Sequence, residues 1–260
     1  MHTRHRNWRR YSALIKIIFW REFNAMYRRT ALGPFWALIA PAAYLMVFIF
    51  FRLMFGLKNH PGMPMIPFLF SGLSLWLFFA AAVNVAFPSI IKNVRILKKI
   101  PVPPLVFLFA GVLLPLVTCG VYMVLLELLL AYYGFYPTIQ HLAIPLIVLF
   151  VLGFASGISL LVVSLALYRQ DILQILPTII QLGMFATPIF FPPSIVPENL
   201  QWVVAYNPMA LCVGMLRGII FTAAWPEWLP LLKTVLVISG LWAIGLPLFK
   251  RTTKYVTDQF

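Results

Sequence analysis

Six stretches of this 260-residue chain are apolar over close to the roughly 20 residues that a helix needs to cross a bilayer, and they constrain the fold more than any other feature of the sequence. With 62% hydrophobic and only 10% charged residues, the chain is expected to be an integral membrane protein of the all-α class. Spans are expected at 34–57, 66–87, 104–133, 142–167, 172–191 and 229–249. An even number of spans leaves both termini on one side.

The distribution of basic residues sets the orientation. Eight Lys or Arg fall in 1–33, four in 88–103, three in 250–260, and Arg169 lies between the fourth and fifth spans, so sixteen of the twenty sit on one face. The opposite connections carry Lys58 and Arg217. The positive-inside rule then places both termini in the cytoplasm. The net charge of +14 is explained by membrane topology, with no role for nucleic acid. The charged leader runs past thirty residues before a span-length segment with no small-residue cleavage site behind it, so the first span is expected to remain as an anchor rather than be removed. Cys119 and Cys212 form neither a disulfide framework nor a metal spacing.

The chain divides into a cytoplasmic interface segment, 1–33, and one membrane domain, 34–260. In the leader, Tyr11, Leu14, Ile15, Ile18 and Met26 share one helical face, and Arg10, Arg21, Asn24 and Arg28 the other. Such a helix lies in the interface plane. Glu22 projects onto the apolar face, near Arg29 in angle, and needs a cationic partner there. Arg28 and Arg29 precede Leu32-Gly33-Pro34, where the free N–H groups at the start of the first span add to the positive charge. Two readings fit: a site for a pyrophosphate or lipid headgroup, and ordinary contact with anionic lipid.

Two connections stand out. Residues 89–100 can form about three helical turns, with Ile90, Val94 and Leu97 on one side and Lys92, Arg95 and Lys99 on the other. Pro101, Pro103 and Pro104 end them. A solvated loop and a docking helix for a cytoplasmic partner both fit that pattern. Residues 192–228 are too long for a turn and too apolar for an exposed loop, so they re-enter the membrane as a pore mouth or cap it from outside. Asn207 as N-cap and Pro208 at the first helical position start a helix through 209–221, and a weaker helix is expected over 194–204.

Six acids, four histidines without ligand spacing and no GxxxxGK[ST] phosphate loop give little support to catalysis, a metal site or ATP hydrolysis within the chain. Arg52, Glu127 and Lys233 fall at one depth, about 6–9 Å inside the outer boundary at 1.5 Å per residue. Intramembrane charges need partners, so Glu127 is expected to pair with Arg52 or Lys233, the alternative being that the two cations reach the headgroups separately. Aromatic residues form interfacial belts and packing. Some, with Trp36, Tyr44, Phe48, Phe185 and Phe190 as candidates, could instead stack on sugars along a pore.

At Arg21-Glu22-Phe23, Tyr27-Arg28, Leu32-Gly33, Trp36 and Pro41, then Thr187-Pro188, Pro192, Asn207-Pro208 and Arg217, the chain resembles the permease subunits of ABC transporters that export lipid-linked polysaccharides such as O-antigen, teichoic acid and capsule. The order and spacing of these elements carry the resemblance over nearly the whole length. One departure is Tyr168-Arg169-Gln170-Asp171, where the family places Arg and Asp side by side. The resemblance implies a homodimer of six-span subunits in the bacterial inner membrane, enclosing the channel and driven by two separate ATP-binding cassette subunits that hold ATP and Mg. It makes 89–100 a coupling helix that docks through Lys92, Val94, Arg95, Leu97, Lys98 and Lys99. Arg28, Arg29, Leu32 and Gly33 would receive an undecaprenyl-pyrophosphate-linked glycan, and Pro192, Asn207, Pro208 and Arg217 would form an outer gate within 192–228. No cofactor is expected in this chain. Export of a drug or other small molecule is the alternative within the family. Outside it stand a membrane enzyme acting on lipid-linked sugars, for which Glu198 and Glu227 are the outer-face acids, and a small-solute channel.

Overall fold

A computed structural model describes residues 2–27, 36–56, 62–93, 102–169 and 171–258. Among the described residues the α-helices are α1 (His2–Tyr27), α2 (Trp36–Met54), α3 (Met65–Lys92), α4 (Leu105–Leu113), α5 (Leu116–Tyr132), α6 (Ile144–Ala166), α7 (Ile172–Gly183), α8 (Gln201–Tyr206), α9 (Pro208–Thr222) and α10 (Trp228–Asp258). There is no strand among the described residues. Among the described residues, four segments are long and apolar enough to cross a membrane, Met65–Ile90, Leu105–Tyr132, Ile139–Ala166 and Trp228–Lys254. The pair Glu198–Tyr206 and Pro208–Thr222, bent by 83°, would make a fifth if taken as one span.

The bundle is built around α3. It touches α2, α4, α5, α6 and α9, and its Leu69, Leu73, Leu75, Phe78, Ala82, Val83 and Ala86 are fully buried. Small residues permit the close helix crossings that hold a membrane bundle together. A Cβ at Gly111 would stand 2.7 Å from the Ala86 Cα, so α4 crosses α3 backbone against backbone. On the far side, Gly157 of α6 faces Leu241 and Trp242 of α10, and Gly245 of α10 faces Leu160. The Trp242 indole donates to the Gly153 carbonyl at 3.0 Å, fixing the rotation of α10 against α6.

The spans differ from their sequence-based bounds in ways that proline explains. The third is two helices, because Pro115 interrupts it after Leu114. The second continues through Pro88 to Lys92, so Ser89 and Ile90 belong to the spanning helix and do not begin a separate one. The rest of the expected coupling helix, 94–100, lies outside the described residues. The fifth stops at Gly183 rather than running to 191. Pro188 disfavours helical geometry at Thr187, and 184–191 proceed in turns. The sixth runs past residue 249 to Asp258; its 31 residues make about 46 Å at 1.5 Å per residue, longer than the hydrocarbon of a bilayer.

The expected helix over 194–204 is instead two single turns, Pro193–Ile195 and Glu198–Leu200, followed by α8. The adjoining α9 forms as its sequence directs. The Asn207 side chain accepts from the backbone N–H of Met209 and Ala210, and Pro208 occupies the first turn. In α1, Tyr11, Leu14 and Ile15 are half-buried and Ile18 buried, on the face that meets α4, while Arg21 and Asn24 are exposed.

Candidate functional site

Between α2 and the segment after α7 lies a cavity of about 480 Å³. Tyr44, Val47, Phe48 and Phe51 line it from α2, and Gln181, Met184, Phe185 and Phe190 from the other side. Its aromatic rings form a ladder. Tyr44 and Phe48 lie nearly parallel with centroids 6.2 Å apart, Phe48 stacks on Phe190 at 3.5 Å, and Phe185 stands 5.9 Å from Phe190. Phe185 is 56% exposed, so the ladder ends at the surface. Flat rings of this kind offer broad contact with little demand on stereochemistry. No acid lines the cavity, and Arg52 is its charged residue. The arrangement is suited to holding and passing a molecule rather than to transferring a proton.

The far wall of the cavity is irregular backbone, and two arginines secure it. The Arg52 guanidinium, 3% exposed, donates from Nη1 to the Phe190 carbonyl at 3.0 Å. Arg217 on α9, 6% exposed, donates to the Pro188 carbonyl at 2.7 Å, the Ile189 carbonyl at 2.8 Å and the Phe68 carbonyl at 3.0 Å. Three successive carbonyls left without helical donors, 188 to 190, therefore receive charge-assisted bonds, the stronger kind. Both guanidinium groups flank Phe68: Arg217 Cζ lies 3.6 Å and Arg52 Cζ 5.5 Å from the ring centroid. The ring face supplies negative electrostatic potential to both. Gly72 completes the fit, since a Cβ there would come within 3.0 Å of Arg217 Nη2. Thr187 and Asn207 extend the network. Asn207 Nδ2 donates to Thr187 Oγ1 at 3.0 Å, and the Thr187 hydroxyl donates to the Gly183 carbonyl at 3.1 Å.

Thr187-Pro188, Asn207 and Arg217, spread over thirty residues of sequence, thus meet at one place. Residues 13–221 match the ABC-2 type transporter family. This chain belongs to that family. Among its relatives, the O-antigen export system permease protein RfbA of Klebsiella pneumoniae is 26% identical over 244 residues, covering 92% of this chain and 91% of that protein. The RfbA protein of Myxococcus xanthus is 26% identical over 236 residues, 90% of each chain. The polysialic acid transport protein KpsM of Escherichia coli is 23% identical over 240 residues, 91% of this chain and 92% of that one.

In this ABC-2 type chain, four of the five aromatic residues singled out from the sequence, Tyr44, Phe48, Phe185 and Phe190, line one cavity. The side chain of Trp36 lies outside the described residues, as do Arg28, Arg29, Leu32 and Gly33 and the coupling residues Val94, Arg95, Leu97, Lys98 and Lys99. For Lys92 the description reaches the helical backbone only. Pro192 is half-buried at the end of the irregular segment.

The expected pairing of Glu127 with Arg52 or Lys233 gives way to a different arrangement. Glu127 Oε1 faces His141 Nε2 at 3.7 Å. The Thr138 N–H donates to His141 Nδ1 at 3.0 Å, so the neutral imidazole carries its proton on Nε2, toward the carboxylate. Lys233 Nζ lies 5.0 Å from the centroid of Tyr206. Equal depth put the three charges in one plane, but their positions around the bundle separate them. Glu22 has its cationic partner in the neighbouring Arg21, whose Nη2 lies 2.7 Å from Glu22 Oε1. The same Arg21 Nη2 donates to Asn93 Oδ1 at 2.7 Å, and Asn93 Nδ2 donates to the Ser89 carbonyl at 2.6 Å. The leader is therefore tied to the end of α3, where the expected coupling segment begins. Asn93, His141 and Phe68 were not legible as partners. Only the costly charge each one answers signals that a partner must exist.

Proposed function

We propose that this chain is the membrane-spanning subunit of an ATP-driven exporter that moves a lipid-linked polysaccharide across the cytoplasmic membrane, with an undecaprenyl-pyrophosphate-linked O-antigen as the first candidate. The observation that carries the reading is end-to-end similarity to O-antigen and polysialic acid export proteins, over nine-tenths of both chains. The aromatic ladder and the absence of an acid from its walls support it, since sugars stack on rings and transport needs no general base.

In this reading two copies of the chain, each with six spans and both termini cytoplasmic, enclose the path. Two ATP-binding cassette subunits dock at 89–100. The six spans are α2, α3, the α4–α5 pair, α6, α7 with the turns after it, and α10, while α8 and α9 re-enter from the outer side and α1 lies in the cytoplasmic interface. Arg28, Arg29, Leu32 and Gly33 hold the pyrophosphate, motion of the ATPases reaches α3 through the coupling segment, and the glycan passes along Tyr44, Phe48, Phe190 and Phe185. Pro192, Asn207, Pro208 and Arg217 hold the outer gate.

Co-expression with its ATPase in cells that lack their own exporter provides the test. Glycan should reach the outer face with the wild-type pair, and Tyr44→Ala with Phe185→Ala should leave assembly intact while lipid-linked glycan accumulates inside. Processing of lipid-linked glycan by the purified chain without any ATPase would reject the transporter reading in favour of an enzyme.

A further inference from the structure

A second, smaller cavity of about 290 Å³ lies between α1, α3 and α4, far from the aromatic ladder in sequence and lined by Glu22, Ala25, Asn84, Pro88, Ser89 and Gly111 among others. Its polar lining includes Glu22, Asn84 and Ser89. Proline has no N–H, so Pro88 leaves the Asn84 carbonyl, and Pro115 the Gly111 carbonyl, without the donor that a continuous helix supplies four residues on. Asn84 and Gly111 both line the cavity. The Glu22 carboxylate adds a charge, and the Asn84 side-chain oxygen is a further acceptor on the lining. Ser89 donates its proton to the Phe107 carbonyl at 3.0 Å, leaving its oxygen able to accept. A carboxylate and two carbonyls freed by proline favour a donor-rich occupant. A primary ammonium carries three donors and no acceptor.

Arg21 decides between a bare cation and something larger. Its guanidinium sits 2.7 Å from the Glu22 carboxylate at the cavity wall and is 46% exposed, so a lone cation would meet a positive charge there. A zwitterion with an ammonium at one end and a phosphate at the other would meet Glu22 and Arg21 in matching order, the anion with its strongest planar donor. We infer that this cavity receives the phosphoethanolamine group, ammonium toward Glu22, Asn84 and Gly111, phosphate toward Arg21. The source is a phosphatidylethanolamine lipid of the bilayer, or a phosphoethanolamine that is free or borne on a glycan. The inference stands apart from the nature of the exported molecule.

The test uses the full-length chain in nanodiscs or detergent, with native mass spectrometry as readout. Phosphatidylethanolamine should bind about tenfold more tightly than phosphatidylcholine, whose trimethylated nitrogen donates no hydrogen bond, because charge-assisted bonds are at stake. Glu22→Gln, close to isosteric, and Asn84→Leu should each remove that preference. Tighter binding of the lipid than of soluble phosphoethanolamine assigns the bilayer as source, and the reverse assigns a free or glycan-borne group. Equal binding of phosphatidylethanolamine and phosphatidylcholine by the wild-type chain, a comparison that needs no variant, overturns the inference. So does a preference that survives Glu22→Gln.

Discussion

Arg52 and Arg217 are both buried, and each offsets its burial by satisfying backbone. Arg217 serves the carbonyls of Pro188, Ile189 and Phe68 at once. Since an unsatisfied buried acceptor costs about 1–3 kcal/mol, Arg217→Ala should destabilise the protein by on the order of 3–6 kcal/mol. Arg217→Lys, a single point of charge without the planar fork, should fall between it and the wild type. Thermal unfolding in detergent ranks the three. Equal stability of the alanine variant and the wild type would mean that water replaces the guanidinium. Near the C-terminal end of α5, the Glu127 carboxylate keeps one oxygen, Oε2, buried and without a hydrogen-bond partner among the described residues. A double-mutant cycle of Glu127→Gln with His141→Ala should show coupling of about 0.5 kcal/mol or more, while the cycle with Arg52→Gln should be additive within about 0.5 kcal/mol.

At the scale of elements, Pro115 and Pro188 mark where helices stop while Pro88 and Pro247 are carried inside them, and distant side chains hold the irregular backbone beyond the stop of α7. The start of α9 was legible because Asn207 and Pro208 act on their immediate neighbours. The apolar runs also gave the positions of α3, α6 and α10, with ends displaced by a few residues to nearly ten. The stop of α7 was not legible. Its irregular continuation is stable only because Arg52, 138 residues earlier than Phe190, and Arg217, 29 residues later than Pro188, supply donors that no local pattern reveals. The aromatic candidates were chosen by type and position, yet only the fold shows that Tyr44, Phe48, Phe185 and Phe190 share one cavity. The partner of Glu127 was missed because depth along the membrane normal carries no angle around it. Two element-scale outcomes are expected. Gly111→Ala places a Cβ 2.7 Å from the Ala86 Cα and should push α4 off α3, at a cost of about 1–3 kcal/mol in thermal unfolding. Arg21→Gln breaks the bond to Asn93 across the α1–α3 junction. With the ATPase bound, it should lower glycan transport more than ATP hydrolysis, as ratios of the two rates would show. An equal fall in both would make the contact a plain structural tie.

Over the whole molecule, the aromatic cavity and the bent pair α8–α9 form a single construction. Phe190 belongs to the ladder through its ring and to the arginine network through its carbonyl, so the wall cannot move without breaking charge-assisted bonds. Relative motion during transport should then leave the Arg52–Phe190 separation unchanged, whatever moves elsewhere. A cysteine pair introduced at Tyr44 and Phe185 would report this, with an unaltered spin-label distance in nucleotide-free and ATP-trapped complexes. A large change would place the moving seam inside the subunit.

The Arg52–Phe190 contact also fixes an order of events during synthesis. Arg52 enters the membrane with α2, when the residue whose carbonyl it will serve is still 138 residues from being made. An arginine at that depth is held at the headgroups until something inside can receive it. In the six-span reading, α2 is therefore expected to insert in one position and to be drawn to its final one after α7 has arrived. A chain truncated before Pro188 should expose Leu53 and Met54, as cysteines, to a membrane-impermeant thiol reagent that no longer reaches them in the complete protein. Membrane insertion and final registration are, for this helix, separate steps.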